Sequence, residues 1–208
     1  MATRDRPAGD RAAIRAAIRD ALDRANPATR LIVEPGVGTR NPDALLAAVI
    51  ASLMVGDRLD VEIAYLAPTP THATRAFGLP HGSDARDLAT GGHARAVPLI
   101  RDDAATVLVG VARHLGAADA RLHGECYVDD ARLFRGDARG IRIEPTAHAP
   151  GLRARVERTI LPGRWYEGRA AQTGGTNLVV EREGIVTQRP VKRSTFYRHH
   201  IDLLLVCP

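Results

Sequence analysis

A chain of 208 residues, 25% charged and 45% hydrophobic, can bury a core for one domain or two small ones. That balance excludes a disordered tail, a collagen-like repeat or a coiled coil. The net charge of +5 and pI near 9.8 rest almost wholly on arginine, because Lys192 is the only lysine. Such a balance fits two origins: a GC-rich, actinobacterial-like genome, or guanidinium groups set to meet phosphate.

No apolar run reaches the roughly 18 residues that a membrane-spanning helix requires. Met1–Asp10 has no apolar core of a signal peptide. Cys126 and Cys207 stand far apart without metal-ligand spacing, as expected in a reducing compartment. The expected location is therefore the cytoplasm.

In chain order, Asp10 is placed to cap a helix with Ile14, Ile18, Leu22 and Ala25 on one face, ended by Asn26-Pro27. Leu31–Val33 reads as a buried strand stopped at Pro35-Gly36. A second helix runs from about Pro42 to Met54, with proline in its first turn, and Leu59–Leu66 alternates as a strand. Strand, helix and strand of this length predict a βαβ unit with parallel strands.

A short helix is expected over Asp84–Ala89, closed by Gly91-Gly92. From Val97 onward short strands recur: 97–100, 106–111, 121–128, 141–143, 152–160, 164–172, 177–182 and 201–206. Asp102-Asp103, Asp129-Asp130, Gly174-Gly175 and Glu183-Gly184 read as turns between them. The expected fold is α/β plus β, a parallel βαβ domain over residues 1–96 and a mostly antiparallel sandwich or curled sheet over residues 97–208. The last strand is placed back near the interface between them.

The strongest local signal is the strand-to-helix turn Pro35-Gly36-Val37-Gly38-Thr39-Arg40-Asn41. Glycines there let backbone N–H groups approach a phosphate, and the helix N-terminus adds positive partial charge. No Gly-Lys-Ser/Thr follows, so it is not a Walker loop, and the dinucleotide spacing is absent too. At the end of the next strand stands Pro68-Thr69-Pro70-Thr71-His72-Ala73-Thr74-Arg75-Ala76-Phe77-Gly78-Leu79-Pro80.

In their order and spacing these two segments resemble the motifs of the diacylglycerol kinase-type lipid kinases, which share a nucleotide domain with sphingosine and NAD kinases. The resemblance covers about Leu31 to Pro208, and the closing strands are similar to those of actinobacterial members. Gly36, Gly38, Thr39 and Asn41 match the family's glycine loop, and Thr69, Arg75, Gly78, Leu79 and Pro80 match its second motif; Thr71 stands for an asparagine there. The resemblance implies that residues 1–96 form a nucleotide-binding domain, truncated because one helix precedes Leu31 where the family has a βαβ unit, with ATP the expected ligand at Gly36, Gly38, Thr39, Asn41, Thr69 and Thr71. It gives Arg75 a phosphate or headgroup to meet.

Three family acids are replaced here, by Val37, His72 and, in Pro150-Gly151-Leu152, by Pro150. These side chains cannot hold Mg²⁺ as aspartate does, so phosphoryl transfer is expected to be lost or reduced, giving a pseudoenzyme. No catalytic residue is assigned.

Two other readings stay open. Asp43 and Glu34 lie close enough to the loop to stand in for the missing acids of an active ATP-dependent lipid kinase, although Asp43 also suits a plain first-turn role beside the helix dipole. The Arg189–His200 segment, with Lys192, Arg193 and Arg198, suits anionic lipid or nucleic acid without catalysis, with lipid preferred and a peripheral membrane location implied. It equally reads as a solvated strand. His199-His200 is not expected to bind metal, because neighbours on a strand point to opposite faces. An open sheet edge leaves room for a homo-oligomer.

Overall fold

The computed structural model describes residues 8–23, 30–36, 38–158, 160–161, 163–187 and 189–208. The stop at Asn26-Pro27, the helix-face position Ala25 and the Val37 replacement lie outside the described residues, as does the segment 1–7.

Helix α1, Ala8–Asp23, begins two residues ahead of the expected cap Asp10 and packs Ile14, Ile18 and Leu22 onto α2, Pro42–Val55. The near-continuous apolar run of α2 suits a helix covered on two sides, with Leu46, Ile50 and Leu53 fully enclosed. Strand β1, Arg30–Val33, precedes α2, and β2, Glu62–Tyr65, follows it. They pair in parallel with Val33 opposite Tyr65, as the predicted βαβ unit requires.

Two short helices follow. Helix α3, His72–Phe77, was not foreseen. It is held by a capping box in which Thr71 and Thr74 satisfy each other, and it stops at Gly78 in the left-handed conformation. Helix α4 spans Ser83–Gly91. Its C-terminal carbonyls are met by Arg30, whose guanidinium donates to Ala89 O and Gly92 O at 2.8 Å while also binding Glu62.

Strand β3, His93–Val97, and the far later β15, Leu203–Cys207, complete this first sheet in the order β1-β2-β15-β3. Strand β15 runs parallel to β2 and antiparallel to β3, so Ile63 at its centre is fully buried.

The second sheet has eleven strands. They are β4 (Ile100–Asp102), β5 (Val107–Leu108), β6 (Ala112–Gly116), β7 (Leu122–Val128), β8 (Ala131–Ala138), β9 (Gly140–Pro145), β10 (Leu152–Val156), β11 (Tyr166–Gly168), β12 (Ala170–Arg182), β13 (Ile185–Val186) and β14 (Val191–Arg198). The main path is β11-β10-β9-β6-β12-β14-β4-β5, with β7 and β13 also on β12 and β8 on β7. All its pairs are antiparallel. The sheet curls so that Leu122, Ile141, Ile143, Leu152, Leu178 and Phe196 share one core. The α/β-plus-β class expected from sequence is the one observed.

Several boundaries differ from the sequence reading. The expected strand 97–100 is a junction instead: Val97 ends β3 of the first sheet and Ile100 begins β4 of the second, with Pro98 and Leu99 between them. The expected strand 106–111 is a two-residue strand followed by a bend. Gly174-Gly175 is no turn but the middle of β12, where its register with β14 shifts. There β7 crosses so closely that a Cβ on Gly124 would run into the carbonyl of Gly174.

Candidate functional site

Because β1 and β2 are neighbouring parallel strands ending in register, the turns that leave them emerge side by side. Ligands of open α/β sheets bind at this C-terminal edge. The first turn closes on itself: Thr39 donates to Gly36 O through its N–H at 3.0 Å and through its hydroxyl at 2.7 Å. Gly38 has φ +83°, a conformation that strains other residues. Gly36 and Gly38 are exposed above a buried Pro35. Asn41 precedes α2, but its side chain caps nothing there and instead lies beside Gly184 of the second sheet.

The second turn holds Thr69 and Thr71 in contrasting states. Thr69 is exposed, whereas Thr71 is buried and its hydroxyl accepts from Thr74 N at 3.1 Å. Thr71 therefore serves first as the cap of α3. Arg75 stands exposed in the last turn of that helix.

Asp43 joins the two turns. It is buried at the start of α2, where one carboxylate oxygen accepts from the Tyr65 hydroxyl and the other from Ala73 N in the first turn of α3, both at 3.0 Å. Its role is thus larger than that of a first-turn charge beside its own helix dipole. Burial, with Asp43 beside it, pushes the Tyr65 hydroxyl upward in pKa, so Tyr65 stays a donor.

From the second sheet Glu183 reaches the same place. It occupies the turn between β12 and β13 with φ +48°. Its carboxylate accepts from three consecutive amides, Val109 N at 2.8 Å, Gly110 N at 2.9 Å and Val111 N at 3.2 Å. Burial and the nearby Asp43 charge outweigh those donors and push Glu183 up to about 7. Gly110 marks the meeting point. A Cβ there would stand 2.6 Å from Glu183 Oε2, 2.9 Å from Asp43 Oδ2 and 2.9 Å from His72 Cβ.

His72 opens α3 and faces Arg142, whose Nη2 lies 3.4 Å from His72 Nδ1. Burial, then Arg142 and Arg75, hold its pKa below the usual histidine range, so it is neutral at pH 7. Arg142 in turn donates to Glu144 at 2.6 Å, and Arg153 binds the other Glu144 oxygen at 2.7 Å. Burial opposes ionisation of Glu144, yet Arg153 and Arg142 together hold it below the usual carboxylate range.

The acids considered as substitutes have other partners. Glu34 is exposed and paired with Arg86 of α4 at 2.8 Å. Asp43 is enclosed, and Glu183 is wrapped in amides. Mg²⁺ requires open octahedral oxygen sites that keep several waters, and this buried, donor-filled pair does not fit it. Among the described residues no group of three or more His, Cys, Asp or Glu side chains is placed to hold a metal.

The remaining sequence candidates are not gathered here. Lys192 and Arg193 are exposed on β14 of the second sheet, where Arg193 lies opposite Gly174. Arg198 is engaged by Asp202 at 2.9 and 3.0 Å. Pro150-Gly151 forms the turn before β10, packed beside Pro98 and Arg198. An open hollow of about 440 Å³ on β7, β8 and β12 is lined by none of the candidate residues. Tyr65, Gly110 and Glu183 were not singled out from sequence. A charged residue in an ordinary-looking turn gives no sign that three distant amides enclose it.

No protein-family model matches the chain, and no curated protein matches it in sequence. Among solved structures, a diacylglycerol kinase from Bacillus anthracis str. Sterne overlays with a TM-score of 0.67 at 11% identity, over 98% of this chain and 83% of that one. An NAD kinase from Archaeoglobus fulgidus, solved in complex with ATP, overlays with a TM-score of 0.46 at 10% identity, over 84% of this chain and 92% of that one. At 11% identity the first overlay establishes architecture: the chain has the two-sheet fold of the Bacillus anthracis kinase.

Proposed function

We propose that this chain binds a nucleotide or another phosphorylated ligand at the Gly36–Thr39 turn, with phosphoryl transfer lost or much reduced. The observation that carries the reading is the pairing of an exposed glycine turn with carboxylates already committed to structural bonds. The turn sits at the edge of the parallel strands where α/β sheets take ligands, and its amides and the start of α2 suit phosphate oxygens. The neighbouring Thr69 turn and exposed Arg75 supply further polar contacts. The fold shared with a diacylglycerol kinase supports the same location.

Loss of transfer follows from the acids. Phosphoryl transfer needs metal-held charge neutralisation and a base for the attacking hydroxyl. His72, neutral and facing Arg142, supplies no metal-binding carboxylate. Asp43 ties α2, β2 and α3 together and has no open face for a cation.

Isothermal titration with ATP, with and without Mg²⁺, tests the binding. Saturable heat that Gly38→Val lowers at least about tenfold is expected, since valine is strained at that φ. A folded protein that gives no heat at millimolar ATP would reject the proposal. Incubation with radiolabelled ATP and mixed lipids tests the second part, for which no labelled lipid is expected; labelled product lost in Asp43→Asn would instead establish an active kinase.

A further inference from the structure

The loop between β10 and β11 carries an exposure pattern that packing does not explain. Ile160 and Leu161 are adjacent and 91% and 72% exposed, the highest values among the exposed large apolar residues of the described chain. Scattered single apolar residues are ordinary on a surface, but two branched aliphatics side by side at a loop tip are not. Cations flank them in the chain. Arg158 precedes them and Arg164 follows, both exposed, and Arg155 lies on the adjoining strand.

Among the described residues Arg155, Arg158 and Arg164 have no carboxylate partner: Arg155 lies over the Trp165 ring at 4.3 Å and Arg164 over Tyr166 at 5.5 Å. The nearby acids belong elsewhere. Glu144 holds Arg142 and Arg153, and Glu157 holds Arg113. Glu167 alone stays exposed on β11. Trp165, half-buried in the same loop, is stacked by Arg153 and Arg155, so its ring face is already taken.

We propose that the β10–β11 loop docks this protein on anionic membrane surfaces, with Ile160 and Leu161 entering the acyl boundary and Arg155, Arg158 and Arg164 meeting the headgroup phosphates. An exposed apolar tip flanked in the chain by exposed guanidinium groups matches the layered chemistry of a bilayer interface. Nucleic acid fits the cations but gives Ile160 and Leu161 nothing apolar to enter, and the Trp165 face is not free to stack on a base. The docking does not depend on nucleotide binding at the glycine turn.

Sedimentation of the full chain with vesicles tests this, using phosphatidylcholine alone and phosphatidylcholine mixed with phosphatidylglycerol. Trp165 is the only tryptophan, so its emission reports on the loop directly. The wild type is expected to pellet with anionic vesicles, with a blue shift and increasing protection from an aqueous quencher. Ile160→Asp with Leu161→Asp should lower partitioning about a hundredfold. Arg158→Ala with Arg164→Ala should lower it about tenfold or more, on anionic vesicles only. Both variants change exposed side chains, and an unchanged circular dichroism melting curve confirms their folding.

Wild-type protein left in the supernatant, equal binding to neutral vesicles, or variants that pellet like the wild type would each overturn the proposal. So would an oligonucleotide that binds through the same arginines while vesicles do not.

Discussion

Asp43 accepts from Tyr65 and Ala73 in a buried setting, and Asp43→Ala leaves both donors without a partner. Its expected cost is about 2–4 kcal/mol, read from the shift of the urea midpoint at constant slope. His114 is a second enclosed polar group, fully buried between the hydroxyls of Thr173 at 2.7 Å and Ser194 at 3.1 Å. Burial, aided by Arg182, pushes its pKa down to about 3 from an ordinary 6.5. Unfolded chains therefore bind the proton first, so this contribution to stability is complete above pH 6.5 and lost as the pH falls toward 3, by at most about 1.4 kcal/mol per unit. His114→Leu should remove that part of the acid dependence while lowering stability near neutral pH, which urea titrations from pH 3 to 8 would reveal. The sequence made the glycine turn legible because glycine, proline and threonine signal their own backbone geometry. It did not make Glu183 or Tyr65 legible, since their importance comes from amides and a carboxylate brought together from distant segments.

At the scale of elements, periodicity located the βαβ unit well. Strand β2 is buried as a largely apolar run and α2 carries proline at its start, whereas Leu31–Val33, expected as a buried strand, lies at the sheet edge with Ile32 44% exposed. Helix α3 escaped notice because six residues provide too little periodicity; its capping box and Gly78 were the readable signs. The hairpin partner β8 was missed because Ala-Arg-Leu-Phe-Arg-Gly-Asp-Ala does not alternate, and a register shift between Cys126 and Tyr127 breaks its pattern further. Gly174-Gly175 was misread for a related reason. Paired glycines often mark a turn, but here they permit β12 to pass close under Gly124. Gly124→Ala is accordingly expected to destabilise by about 1–3 kcal/mol or more, since backbone must shift to admit even a methyl group. Thermal melting beside an alanine at exposed Gly91, where a Cβ meets nothing within 4 Å, would check it.

Across the whole molecule, Gly110 is where the two sheets' chemistry meets. Because Glu183 is pushed up to about 7 from an ordinary 4.5, the folded state takes up its proton first. Its contribution is fully present below pH 4.5 and is lost as the pH rises through about 7, opposite in direction to that of His114. The stability difference between wild type and Glu183→Gln should therefore change most between pH 4.5 and 7, becoming less favourable to the wild type as pH increases. A pH-independent difference would contradict this assignment.

Strand β15 carries a different consequence, one for synthesis. It enters the first sheet between β2 and β3, yet follows every strand of the second sheet in the chain. During translation β2 must wait with one side unpaired until Leu205 emerges to meet Ile63. The first-made half of the protein is thus among the last to close, and a ribosome-bound intermediate presenting the β2 edge is where a chaperone would engage the nascent chain.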